Sequence, residues 1–154
     1  MEMEAGKTTR IDSNPSGAAG PTGAILGDWS PNGEWIVFYT EGSGARAEEQ
    51  GLWLRNPLGV DLYHLTTGLD REPVWSPDGD RIAYAVQPTR GRLYINSSNG
   101  QGTAQRLTSP QQLAYAPAWS PDGTYLIYHG LMEGFVGPSR PLNRDLLYLR
   151  VPTG

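Results

Sequence analysis

The sequence has no cysteine, only two histidines and two phenylalanines, and no apolar run long enough to cross a membrane. Without cysteine there is no disulfide, no thiolate nucleophile and no cysteine-ligated metal, although the compartment stays open. The two histidines, His64 and His129, stand in different parts of the chain at a spacing that suits no metal-ligand pair. Basic residues are also scarce: 12 Lys and Arg against 16 Asp and Glu give a net charge of −4. A chain with no basic stripe cannot neutralise a phosphate backbone, which excludes a nucleic-acid binder. No G-x-S-x-G elbow, phosphate-binding loop or H-E-x-x-H helix is present, so the chain reads as a non-enzyme without metal or cofactor. The opening stretch MEMEAGKTTR lacks the apolar core of a signal peptide, and a soluble chain is expected.

What the sequence does have is glycine (20), proline (13) and a sentence written three times. GDWSPNGEWIVFYT (27–40), PVWSPDGDRIAYAV (73–86) and PAWSPDGTYLIYHG (117–130) are near-copies, with Trp29, Trp75 and Trp119 standing 46 and 44 residues apart. That period suits a four-stranded propeller blade of about 40 to 45 residues. In the Ser-Pro-Asx-Gly that follows each Trp, proline presets φ at the first turn position and Asn32, Asp78 or Asp122 hydrogen-bonds locally. Gly33, Gly79 or Gly123 then takes the left-handed conformation. The turn repeats, so Asp78 and Asp122 read as turn residues and not as a catalytic carboxylate pair. The Trp triplet likewise reads as packing between blades and not as a ligand cage.

The strand after each turn is apolar on both faces, with Ile36 and Phe38, Ile82 and Tyr84, Leu126 and Tyr128 on one side and Val37, Ala83 and Ile127 on the other. Sheets of that kind are sandwiched between neighbours. The predicted architecture is all-β: blade 1 at about 25–67, blade 2 at about 72–109 and blade 3 at about 115–154. Blade 3 runs out before its fourth strand. KTTRIDS (7–13) aligns with TAQRLTS (103–109), placing Arg10 and Ile11 where Arg106 and Leu107 stand, so 7–13 is expected to close the third blade of a partner chain.

The pattern P-x-W-S-P-D-G-x-x-[IL]-x-[YF], followed later by R-L-T, resembles the WD40-like repeat (PD40) of TolB-like propellers. Pro73, Trp75–Gly79, Ile82 and Tyr84 carry it in the second copy, and Pro117, Trp119–Gly123, Leu126 and Tyr128 in the third. The first copy departs from it with Asp28 before Trp29 and Asn32 in the turn. The resemblance implies six blades and a bacterial, often periplasmic, protein. Three blades would leave two apolar end faces, so a homodimer forming a six-bladed ring is expected. The second-to-third-strand connections vary in length and emerge on one side, making that side the expected surface for a protein or peptide. Its candidate anchors are Arg46, Met132, Phe135, Arg140 and Arg144. Asp28 is placed facing the central channel, where two copies in a dimer would hold a cation or water. Two alternatives stay open: the propeller part of a hydrolase or peptidase, and an excised or engineered fragment with no ligand of its own.

Overall fold

A computed structural model describes residues 21, 23–41, 47–58, 61–87, 91–131 and 145–152. Its first sheet comprises β1 (Ala24–Trp29), β2 (Ile36–Thr40), β3 (Gly51–Arg55) and β4 (Leu62–His64), antiparallel and paired in chain order. The second repeats that order with β5 (Asp70–Trp75), β6 (Arg81–Val86), β7 (Arg92–Ser97) and β8 (Gln105–Arg106). The third contains β9 (Leu113–Trp119), β10 (Tyr125–Leu131) and β11 (Asp145–Arg150), so three strands among the described residues. One 3-10 turn, Ala47–Glu49, is the single helical element there. β4 and β8, at the outer edges, are three and two residues long. Edges that short give little template for a stray strand.

The second and third sheets each lean on the one before through their first strand: β5 lies against β1, β2 and β3, and β9 against β5, β6 and β7. The core is therefore made of seams between sheets. Trp75 is buried in the first seam with Val37, Tyr39, Leu52, Leu54, Ile82 and Tyr84. In the second, Trp119 packs on Ala83, Ile95, Leu126 and Val151. Its indole N–H donates to the Val74 carbonyl at 3.3 Å, and the Arg81 guanidinium sits 5.2 Å from its ring centroid.

The Ser-Pro-Asx-Gly turn is built alike three times. Ser30, Ser76 and Ser120 each donate a hydroxyl to Asn32, Asp78 and Asp122, and each Oγ accepts a backbone N–H, from Trp35, Arg81 and Tyr125, at 2.9 Å. Gly33, Gly79 and Gly123 have φ of 71°, 80° and 70°. The serine hydrogen bonds hold the Asp78 and Asp122 carboxyls below the usual carboxylate range, backbone N–H groups adding to it.

A folded pKa below the unfolded value of about 3.9 adds stability at neutral pH that disappears as pH falls through the folded value. Asn32 shows that an uncharged acceptor makes the same turn. Asp78→Asn is thus expected to change stability at pH 7 by less than about 1 kcal/mol, the site being solvent-screened. Between pH 5 and pH 2 its loss of stability should be shallower than the parent's (pH values bracketing the about 3.9 reference). Urea melts across that range measure both, and parallel acid profiles would refute the assignment.

A second repeated feature sits in the first strand of each sheet. Leu26, Glu72 and Ala116 have φ of 20°, 53° and 47°, and the strand register slips beside each one. These are β-bulges at equivalent positions, a conformation that non-glycine residues seldom adopt.

Candidate interaction surfaces

The bulges bring acidic side chains against the neighbouring sheet. Asp28 accepts the backbone N–H of Trp29 and, across the seam, that of Trp75, both at 2.9 Å. One blade further on, Glu72 accepts the Ala116 N–H at 2.6 Å. The Glu41 carboxylate pairs with Arg71 over the same seam as Asp28. Burial, then Glu41, then Glu72 push the nearby Tyr39 hydroxyl pKa up. Both carboxylate oxygens of Asp28 are thus engaged, one within its own strand and one in joining the sheets. No group of three or more His, Asp or Glu suited to a metal occurs among the described residues.

Asp70 is buried at the start of β5; desolvation raises its pKa, while a hydrogen bond from Thr66 and the nearby His64 oppose the rise. His64 stacks on Trp53 with ring centroids 4.1 Å apart and directs Nε2 at the Gln50 carbonyl, 3.2 Å away. A ring nitrogen facing a carbonyl must carry the hydrogen. His64 is thus part of the first seam's packing. His129 lies elsewhere, on the outer face of the third sheet.

Of the residues singled out in the sequence, Arg10, Ile11, Arg46, Met132, Phe135, Arg140 and Arg144 lie outside the described residues. Trp75 and Trp119 sit in seams, whereas Trp29 is 54% exposed, against 8% for Trp75.

That difference continues across both ends of the array. Cross-strand pairing puts Val37 opposite Leu54 and Tyr39 opposite Leu52 in the first sheet, and Ala83 opposite Ile95 and Ala85 opposite Leu93 in the second. In the third, the same positions hold Ile127 opposite Tyr148 and His129 opposite Leu146. All eight residues of the first two sheets are buried. In the third sheet, Ile127 is 46%, Leu146 67% and Tyr148 74% exposed. Tyr125 and Tyr148 meet edge-on beside them, with centroids 5.9 Å apart. At the opposite end, Ile25, Leu26 and Trp29 leave the front of β1 uncovered.

Three consecutive antiparallel sheets, each seating its first strand against the sheet before it, define the β-propeller class. The particular propellers the chain is similar to are TolB and TolB-like proteins. A structure from Agrobacterium tumefaciens described as TolB matches 84% of this chain and 46% of its own, with a TM-score of 0.68 and 17% identity. TolB from Acinetobacter baumannii matches 88% of this chain and 31% of its own, with a TM-score of 0.65 and 20% identity. The tricorn protease shares the fold over 79% of this chain and 12% of its own, with a TM-score of 0.58 and 17% identity.

Among curated proteins, the Tol-Pal system protein TolB of Alcanivorax borkumensis is 42% identical over 55 residues, 35% of this chain and 13% of that protein. An uncharacterised protein of Agrobacterium fabrum is 25% identical over 141 residues, 83% of this chain and 45% of that protein. An uncharacterised peptidase of Bacillus subtilis, YuxL, is 39% identical over 66 residues, 41% of this chain and 10% of that protein. The chain thus spans less than half the length of these relatives. No family model matches it. Among the described residues no helix is long and apolar enough to cross a membrane.

Proposed function

We propose that this chain is a three-bladed arc which closes with a second copy into a six-bladed ring, a non-enzymatic scaffold that presents its long-loop side to a protein or peptide. One observation carries the reading: positions covered by the following blade in the first two sheets are bare in the third. What covers them in the first two is a first strand ending in Trp75 or Trp119. The chain carries one more such strand, β1, whose Trp29 is uncovered. The two bare ends are complementary, so a second copy can supply each with its partner. Two arcs of three give six blades, inside the usual range of four to eight. The Agrobacterium tumefaciens structure, of which this chain matches 46%, has room for such an arc twice.

Within this reading, 7–13 completes the partner's third sheet through Arg10 and Ile11. Arg46, Met132, Phe135, Arg140 and Arg144 supply the anchors on the long-loop side. The match to YuxL supports a second reading, in which the same ends are covered by other blades of a longer peptidase.

Light scattering on the eluting protein separates the two. The ring predicts a mass near twice 16.8 kDa. A folded monomer, or an open series of oligomers, would reject it in favour of an arc that needs other blades.

A further inference from the structure

The two seams inside the chain are built from equivalent positions but filled differently. In the second, Arg81 lies over Trp119 and Val151 is buried beside it, the Arg81 guanidinium also donating to the Pro152 carbonyl at 3.3 Å. In the first, Trp35 takes the place of Arg81 and instead meets Tyr63, with ring centroids 5.5 Å apart and planes at 47°. Ser98 takes the place of Val151: each donates its N–H to the residue just before the neighbouring strand, Asp80 or Thr124. With a small hydroxyl for a valine and an indole turned aside, a cleft of about 520 Å³ stays open, lined among others by Trp35, Tyr63, His64, Trp75, Ser98 and Asn99. It opens beside the β1–β2 and β7–β8 turns, at the end of the sheets away from the long connections.

Among the described residues that line it there is no Asp, Glu, Lys or Arg. Its side chains offer several hydrogen-bond donors. The Asn99 carbonyl oxygen accepts from Ser97 Oγ at 2.7 Å and from the Gln101 N–H at 2.8 Å. A backbone N–H can bond only the amide oxygen, so the orientation is fixed and both Nδ2 hydrogens remain to be given. The hydroxyls of Ser98 and Tyr63 can each donate as well as accept.

We propose that this cleft binds a proline-rich segment in the polyproline II conformation. Such a segment has no internal hydrogen bonds, so its carbonyls are free to accept, and proline brings no N–H that would need an acceptor from the cleft. Its rings pack on aromatic walls, a mode that recurs in peptide recognition. The cleft lies between sheets of one chain, so the proposal stands whether or not the ring closes.

Decaproline titrated into the purified protein, followed by calorimetry, tests it. Saturable one-to-one binding is expected. Ser98→Val, which puts into this seam the residue the other seam already carries, should weaken it at least tenfold while leaving the fold intact, and Trp35→Ala should do the same. Three results would overturn the proposal: no saturable binding to folded protein, equal affinity in Ser98→Val, or binding of cellohexaose in preference to decaproline.

Discussion

Ile127→Asp is expected to leave the protein monomeric at concentrations where the parent is dimeric. The position is 46% exposed in the single chain, so an aspartate there stays hydrated and the monomer folds as before. In the proposed ring it would take the place that Val37 and Ala83, both fully buried, hold in the first two sheets. An unpaired carboxylate in an apolar seam costs several kcal/mol, of which even about 3 corresponds to a hundredfold weaker association. The proposed ring would have two such seams, and both would be lost together. Sedimentation across a dilution series reads the shift, with far-UV circular dichroism to check that the monomer retains its sheets. A variant that dimerises like the parent would show that the outer face of the third sheet is not the contact.

How much of this was visible in the residues depends on how local the cause is. Ser-Pro-Asx-Gly writes its turn in four letters, because φ at Pro31, Pro77 and Pro121, the short acceptor after it and the left-handed glycine are properties of those residues alone. The 46- and 44-residue spacing of the Trp residues then gives the sheets. The bulges were not legible in that way. Leu26, Glu72 and Ala116 share a conformation and no chemistry, because packing between first strands imposes it. One signal was available, since Pro73 and Pro117 lie inside β5 and β9, the inner edge strands of their sheets, and within a sheet proline is confined to edge strands and bulges.

The role of Asp28 follows from the same geometry. Its sequence position next to the channel suggested an ion or water site, but the bulge turns its two oxygens to the N–H groups of Trp29 and Trp75. The cleft depended on knowing that Ser98 and Val151 are equivalent, and that equivalence comes from strand register. The proposed anchors from Met132 to Arg144 fall in a connection whose length, unlike the repeat, follows no pattern in the chain.

Leu52 and Leu146 occupy one position in two blades, and truncating each to alanine is expected to give opposite kinds of result. Leu52 is fully buried within the chain, where Leu→Ala costs about 2–5 kcal/mol through lost burial and the cavity left behind. Its effect belongs to the arc itself, so the midpoint of chemical unfolding should fall by the same amount at any protein concentration. Leu146 is 67% exposed, and the isolated arc gains little from it. In the proposed ring it would be covered, so Leu146→Ala should weaken association, and its apparent destabilisation should shrink towards zero as the protein is diluted below the dimer dissociation constant. Unfolding curves at widely spaced concentrations measure both. Should Leu146→Ala cost the same at every dilution, that side chain is buried within its own chain and the open arc is the wrong description; should it cost nothing even at high concentration, no second copy lies over it.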